Sequence, residues 1–147
     1  MKVFTLRQPE IGKAVPLLLS ARAQHGQLEG EAWAENMLRD FLARNAGHWL
    51  LAEREGEVVG QLVLVWGYST SGAAPVAHLQ DVYVREDARR SKVAAALLSR
   101  AEEIARQYRA CRLELLTDAE NVPARALYVS AGFQELPHKL TCMKLLP

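Results

Sequence analysis

Cysteine is scarce in this chain, because only Cys111 and Cys142 occur among its 147 residues. The opening segment MKVFTLRQPE has no apolar stretch typical of a secretory signal, so we expect a cytoplasmic protein. Both thiols are then expected to be reduced and buried. A chain of this length can bury about two-thirds of its unfolded surface without disulfides or metal. The sequence therefore predicts a single domain over residues 1–147.

Long apolar runs and an excess of charge are also missing. The longest apolar runs, such as residues 14–19 and 62–66, are far too short to cross a membrane. The formal net charge of +1 gives no global attraction to nucleic acid, so any anion site must be local. The histidines are widely separated, and no H-E-x-x-H, C-x-x-C or G-x-x-x-x-G-K-[ST] pattern occurs. The sequence thus predicts no membrane or nucleic-acid partner, no metal site and no P-loop.

The clearest pattern that is present runs from Leu79 to Leu98. Residues 79–84 alternate apolar and polar side chains, which is typical of a β-strand, and apolar residues recur at helical spacing after Val93. The turn between them, Arg85–Lys92, carries four basic and two acidic residues. Cations beside the unpaired N–H groups of a helix N-terminus can bind phosphate oxygens. The alternative is a solvated, charged turn without a ligand.

A second pattern, NVPARALYVSAGF, begins at Asn121 and predicts a short helix up to Ala131. Asn121 can cap this helix, and Pro123 suits its first turn. Gly132 can end it in a left-handed conformation, with Phe133 as the apolar contact that follows. Both ends of the helix are therefore marked in the sequence.

Together, the two patterns resemble the GNAT superfamily of acetyl-CoA-dependent N-acetyltransferases. The first is similar to the family's acetyl-CoA motif, a strand ending in (D/E)-D-hydrophobic-Y-V followed by Arg/Gln-x-x-Gly-x-Gly/Ala. Arg89 and Ala94 stand in the Arg/Gln and final Gly/Ala places. The second is similar to Asn-x-x-Ala-x-x-Leu-Tyr-x-x-x-Gly-Phe, which is met here by Asn121, Ala124, Leu127, Tyr128, Gly132 and Phe133.

One position departs from the first motif. Lys92 stands where the family has glycine, and no glycine occurs between Gly72 and Gly132. Glycine permits φ > 0 and a close approach of the backbone to a ligand. If residue 92 needs φ > 0, lysine costs roughly 1–2 kcal/mol. If residue 92 is helical, lysine costs little and adds a cation.

The resemblance implies acetyl-CoA as co-substrate, attacked directly by the amine without an acyl-enzyme. In the family the pantetheine arm lies along the fourth strand, which assigns its binding to the backbone of Val82, Tyr83 and Val84. By the same resemblance Asn121 bonds the pantetheine, and Tyr128 gives a proton or hydrogen bond to the leaving sulfur. The remaining acetyl-CoA residues implied are Arg89, Arg90, Ser91, Lys92, Val93, Ala94 and Ala95.

The general base and the acceptor remain open. Some small-amine acetyltransferases of the family carry Glu-Asp before the hydrophobic-Tyr-Val segment, whereas this chain has Gln80 followed by Asp81. Asp81, Glu114 or a water chain can act as base, and Asp81 can instead bind an ammonium group. The segment Tyr68–Val76 resembles that of diamine, polyamine and thialysine acetyltransferases. A small primary amine is therefore the expected acceptor, although Gln80 weakens a polyamine assignment.

The patterns over the whole chain predict an α/β (α+β) GNAT fold. Its order is strand, two helices, three strands, helix, strand, helix and two strands, in a mixed, mostly antiparallel sheet of about seven strands with four helices. Pro9–His25 is expected to be a helix kinked or divided at Pro16. The last two strands are predicted at Phe133–Leu136 and Lys139–Leu146. The resemblance also implies a homodimer formed through these strands.

Two other functions compete with catalysis. A degenerate GNAT domain could bind CoA, or nothing, and serve as an interaction module, which Lys92 and Gln80 motivate. A generic phosphate-binding α/β domain explains the basic turn but not the second motif.

Overall fold

The computed structural model describes residues 1–147, which form two compact units, Met1–Leu116 and Thr117–Pro147. The first unit contains β1 (Lys2–Thr5), α1 (Ile11–Ala23), α2 (Glu31–Arg44), β2 (Gly47–Arg54), β3 (Glu57–Ser69), β4 (Ala74–Val84), α3 (Val93–Gln107) and β5 (Arg112–Leu115). The second contains α4 (Val122–Ser130). Short 3-10 turns at Gln8–Glu10 and Glu86–Ala88 precede α1 and α3. The predicted α/β class and the four helices are confirmed.

The strands of the first unit form one mixed sheet in the order β1-β2-β3-β4-β5. Neighbours are antiparallel from β1 to β4, and β5 is parallel to β4, as expected for a strand that follows a helical crossover. The predicted hairpin between β2 and β3 is present. Its turn residues Glu55 and Gly56 have φ of 53° and 80°, which is the pattern of a type I′ turn.

The core lies on both faces of the sheet, because side chains alternate along the strands. On one face, α1 and α2 cover β2 and β3 through a cluster of buried residues, namely Leu6, Ile11, Ala14, Val15, Leu18, Ala34, Leu38, Trp49, Leu51 and Val63. On the other face, α3 approaches β3 so closely that a Cβ on Gly60 would lie 2.7 Å from a Val93 methyl group. Gly60 pairs with Val84. The N-terminus of α3 is therefore held beside the end of β4.

The expected division of the first helix at Pro16 is wrong. α1 continues from Ile11 to Ala23 with Pro16 inside it. An interior proline costs about 3 kcal/mol, because it removes a backbone hydrogen bond and crowds the carbonyl one turn earlier. Burial of each Val or Leu side chain contributes about 1.5–3 kcal/mol, so packing outweighs the proline. The buried neighbours are Ala14, Val15, Leu17 and Leu18.

The two strands predicted after α4 are absent, so the sheet has five strands rather than about seven. The second unit contains no strand, and within it the chain after α4 has no neighbour that could take its backbone hydrogen bonds. Pro137 interrupts the segment further. Its apolar side chains are exposed, including Leu140, Met143, Leu145 and Leu146.

Both cysteines are free, but the expectation that they are buried is wrong. Cys111 and Cys142 are exposed. Cys111 lies in the connection between α3 and β5, and Cys142 lies in the strandless segment after α4. Neither position belongs to an element that turns one face to the core.

Candidate active site

β4 carries a bulge in the stretch where the sequence predicts the pantetheine strand. Gln61 of β3 pairs with Tyr83, but Val63 pairs with Gln80, so β4 has one residue more than β3 over this stretch. Asp81 takes the left-handed conformation, with φ of 52°, as the first residue of a bulge can do. The extra residue bends the strand and changes which backbone groups face each edge.

β4 also parts from β5 at this point. The parallel pairing runs from Val76 with Arg112 to Leu79 with Leu115, where β5 ends. Beyond Leu79, β4 keeps its pairing with β3 as far as Val84 but has no partner on the β5 side. Backbone groups on that free edge can hydrogen-bond an extended ligand in the manner of an added strand.

Gln61 supports the bulge from inside the core, and the sequence analysis missed it. Its side chain is fully buried, and Nε2 donates to the Asp81 carbonyl at 3.4 Å. Its Oε1 is buried without a partner. A buried polar group costs free energy unless it is hydrogen-bonded, so the hydrogen bond to the Asp81 carbonyl offsets only part of the cost of burying Gln61. The signal in the sequence was one glutamine inside the apolar run VVGQLVLVW.

The turn between β4 and α3 needs left-handed backbone at two positions. Arg90 and Lys92 have φ of 62° and 64°, which answers the question left open by the sequence, because Lys92 stands in a glycine-like conformation. Lys92 is the N-cap of α3, and its carbonyl accepts from the Ala96 N–H at 3.0 Å. The N–H groups of the first turn after it have no acceptor within the helix. They are available to an anion.

The basic residues of this turn differ in whether a carboxylate already pairs with their charge. Arg85 is ion-paired with Asp87 at 2.6 Å and with Glu57 at 2.9 Å, and these hydrogen bonds raise the pKa of its guanidinium. Arg89 donates from Nε to the Val84 carbonyl at 2.9 Å and has no carboxylate partner. Arg90 and Lys92 likewise have no carboxylate partner, so their charge is not neutralised locally, as a phosphate site requires.

Arg54 adds a further cation that sequence spacing could not assign to the site. It ends β2, and its Nη1 donates to Ser91 Oγ at 3.1 Å across 37 positions of sequence. The Ser91 hydroxyl in turn donates to the Ala88 carbonyl. Arg54 therefore extends the cationic surface of the turn towards the β2–β3 hairpin.

The two carboxylates that are candidates for the general base also differ in whether they are already ion-paired. Glu114 is held by two partners, since His78 Nδ1 lies 3.0 Å from one carboxylate oxygen and Arg112 Nε lies 2.9 Å from the other. The Asp81 side chain is exposed and makes no hydrogen bond or ion pair. Of these two carboxylates, only Asp81 is free to meet an ammonium group.

In the second unit, α4 is closed at both ends by the residues of the second motif. Asn121 Oδ1 accepts from the Ala124 N–H at 3.3 Å. At the other end, Gly132 has φ of 95° and donates to the Val129 carbonyl, while Phe133 donates to the Tyr128 carbonyl, both at 3.0 Å. This pattern of paired bonds is a Schellman motif.

Tyr128 makes the apolar contact of that motif, with its ring 6.0 Å from the ring of Phe133. Burial raises the pKa of the Tyr128 phenol above its ordinary value, so the phenol stays protonated at neutral pH. The side chain can therefore act as a hydrogen-bond or proton donor, but not as a base.

Residues 17–133 match the family described as the acetyltransferase (GNAT) family, and they include β4, the basic turn and α4. The chain belongs to the GNAT family. It is therefore an acyltransferase, and GNAT acetyltransferases use acetyl-CoA as co-substrate.

Known GNAT proteins support this assignment. An aminoalkylphosphonate N-acetyltransferase of Salmonella typhimurium is 30% identical over 78% of this chain and 74% of its own. An uncharacterised N-acetyltransferase of Bacillus subtilis is 29% identical over 92% of this chain and 91% of its own. The crystal structure of a probable acetyltransferase has a TM-score of 0.91 and 28% identity, and it covers 100% of this chain and 99% of its own.

No group of three or more His, Cys, Asp or Glu side chains in this GNAT protein is arranged to hold a metal ion. None of its helices is both long and apolar enough to span a membrane.

Proposed function

We propose that this GNAT protein transfers the acetyl group of acetyl-CoA directly to the primary amine of a small molecule. The observation that carries the proposal is the free edge of β4 after Leu79, which begins beside the Asp81 bulge and ends beside the cationic N-terminus of α3. One ligand with an extended amide arm and a pyrophosphate suits both features. The name of the Salmonella relative, an acetyltransferase of aminoalkylphosphonates, supports a small amine as acceptor.

In this reaction the ammonium group of the acceptor first loses a proton, and the free amine attacks the thioester carbonyl carbon. A C–N bond forms, the C–S bond breaks, and the thiolate of CoA takes up a proton. The amine loses its second proton as the amide forms. We assign the backbone of Val82 to Val84 to the pantetheine, the turn Arg89–Ala95 and Arg54 to the pyrophosphate, and Asp81 to the ammonium group. Asn121 and Tyr128 are assigned by resemblance, Tyr128 as the donor to the leaving thiolate.

Initial-rate kinetics test the direct mechanism. Free CoA thiol is measured while acetyl-CoA and ethylamine are varied together, and the amide is identified by mass spectrometry. Intersecting double-reciprocal lines are expected for a ternary complex, whereas parallel lines would indicate an acyl-enzyme and overturn the mechanism. Acetyl-CoA binding without thiol release for any amine would instead favour the non-catalytic interaction module.

We also propose that the whole chain functions as one acetyltransferase domain, as a homodimer in the cytoplasm. The support is the resemblance to the family. Sedimentation equilibrium of the purified chain tests the dimer, and a monomer at all concentrations would refute it.

A further inference from the structure

A charged cluster at the connection between α1 and α2 has no part in the acetyl-CoA site. Arg22 lies in the last turn of α1, Glu29 in the connection and Trp33 in the first turn of α2. The Arg22 guanidinium donates to both Glu29 carboxylate oxygens, from Nε at 3.1 Å and from Nη2 at 2.7 Å. Its Cζ lies 4.6 Å from the centroid of the Trp33 ring.

These contacts fix the guanidinium but leave part of it unused. Glu29 occupies the Nε and Nη2 groups, and Nη1 has no acceptor. The side chains are not free surface groups, since Arg22 and Glu29 retain only 30% and 23% of their side-chain exposure. An arginine held on an aromatic face with an open edge is preorganised to bind a carboxylate or a phosphonate.

The cluster is connected to the β4 bulge through α1 and β3. Leu18, one helical turn before Arg22, belongs to the same buried cluster as Val63 of β3. Val63 pairs with Gln80, which precedes Asp81. The hydrogen bond to Glu29 is the main cause that raises the pKa of Arg22, and the Asp81 carboxylate raises it further through space. The cationic edge thus lies on α1, which packs on β3, and the unpaired carboxylate lies on β4, which pairs with β3.

We propose that the acceptor is a small amine that carries an anionic group, a carboxylate or a phosphonate, close to the amine. The open edge of Arg22 binds the anion, and Asp81 receives the ammonium group at the bulge. This inference rests on the proposed acetyl transfer at β4. A diamine would bring a second cation to the Arg22 edge, which has only donors to offer.

Three matched acceptors test the proposal. Ethylamine, aminomethylphosphonate and the free amino acid glycine share a primary amine on one carbon and differ in the group beyond it. A hydrogen bond between the Arg22 guanidinium and an anion is stronger than one between neutral groups. We therefore expect kcat/KM for the two anionic acceptors to exceed that for ethylamine by about tenfold or more. Ethylenediamine serves as the comparison that carries a second amine in place of the anion, and a preference for it would overturn the proposal.

Two variants distinguish binding of the anion by Arg22 from structural support of the α1–α2 connection by the Arg22–Glu29 ion pair. Arg22→Gln removes the guanidinium, and the ratio of kcat/KM for aminomethylphosphonate over ethylamine is expected to fall to near unity. Glu29→Gln breaks the same ion pair but keeps Arg22, so the ratio is expected to stay the same or rise. If both variants lower the ratio equally, the pair only supports the α1–α2 connection, and the proposal is wrong.

Calorimetry keeps this test separate from that of the proposed function. Absence of acetyl-CoA binding refutes the proposed function itself. If no amine is acetylated, the inference is decided by titrating aminomethylphosphonate and ethylamine into protein saturated with CoA. Binding of aminomethylphosphonate alone, lost in Arg22→Gln, supports it, whereas equal or no binding of the two overturns it.

Discussion

Lys92 and Gly132 both adopt a left-handed backbone conformation, but Lys92 has a charged side chain and Gly132 has no side chain. Lys92 precedes α3 with φ of 64°, and Gly132 follows α4 with φ of 95°. Glycine adopts this region without steric cost, whereas a residue with a side chain pays roughly 1–2 kcal/mol. At the end of α4 the residue type fits the conformation, whereas at the start of α3 a strained conformation is combined with a positive charge.

The surroundings of the two residues support this interpretation. A Cβ added at Gly132 would meet no atom within 4 Å, so glycine is needed there for its backbone alone. Lys92 instead stands with Arg54 and Arg90, which also lack carboxylate partners. Strained residues persist where the surrounding structure or a function requires them, and here the lysine adds a cation to the turn that we propose as the pyrophosphate site.

The largest effect is expected from Tyr128→Phe, which tests whether α4 is more than a well-capped helix. The ring contact with Phe133 is kept, but the hydroxyl is lost, so turnover should fall at least about tenfold with little change in acetyl-CoA affinity. Steady-state kinetics and calorimetry measure the two quantities. Tyr108→Phe is the control, since Tyr108 is 52% exposed and lies outside both motifs. Unaltered turnover in Tyr128→Phe would remove this hydroxyl from the mechanism.

Gly132→Ala tests whether the end of α4 requires glycine for its left-handed conformation. Because φ is 95° and the site is otherwise open, the variant should destabilise the end of α4 by roughly 1–2 kcal/mol. Hydrogen exchange of the Phe133 amide, which donates to the Tyr128 carbonyl, reports on it. Gly12→Ala in α1 is the control, where a Cβ also meets nothing but φ is not left-handed. Equal exchange in wild type and Gly132→Ala would show that the cap carries no strain.

Lys92→Gly and Lys92→Ala separate strain from charge. Glycine should raise the free energy of unfolding by about 1 kcal/mol, whereas alanine keeps the left-handed strain and should not. Both remove the cation, so both should weaken acetyl-CoA binding by a similar, modest factor that shrinks at high salt. Urea unfolding and calorimetry are the measurements. Tighter acetyl-CoA binding by Lys92→Gly would show that the lysine hinders the pyrophosphate.

The smallest effect is expected at His48 of β2, whose ring packs against Trp66 and Tyr108. Burial, and next the charge of Arg100, lower the pKa of His48. Below about pH 6.5 the unfolded chain therefore binds a proton that the folded chain resists, and stability falls as the pH falls through this range. His48→Phe keeps ring packing with Trp66 and Tyr108 and should flatten this part of the urea-unfolding profile. An unchanged slope would show that other groups cause this loss of stability at low pH.

Local chemistry explains which features the sequence could predict. The caps of α4 follow from Asn121 and Gly132, because a helix end is decided by a few adjacent residues. The hairpin at Gly56 and the strand–helix order are local in the same sense. These features carry the family resemblance, and the structure has them where they are expected.

Features that depend on distant partners could not be predicted. The bulge at Asp81 is a matter of register against β3 and of Gln61, which lies 20 positions away. Arg54 reaches Ser91 across 37 positions. The segment 139–146 is rich in apolar residues, but a strand also needs a partner, which the sequence pattern does not supply. The backbone angle of Lys92 was open because it depends on how α3 packs against β3.

The central claim is that the turn with Lys92 in the left-handed conformation still holds the pyrophosphate of acetyl-CoA. Isothermal titration of the purified chain with acetyl-CoA at moderate salt tests it most directly, since weak charge attraction is screened. We predict saturable binding with one ligand per chain and a Kd on the order of micromolar. Absence of binding up to millimolar acetyl-CoA would contradict the claim and leave the interaction module as the better account.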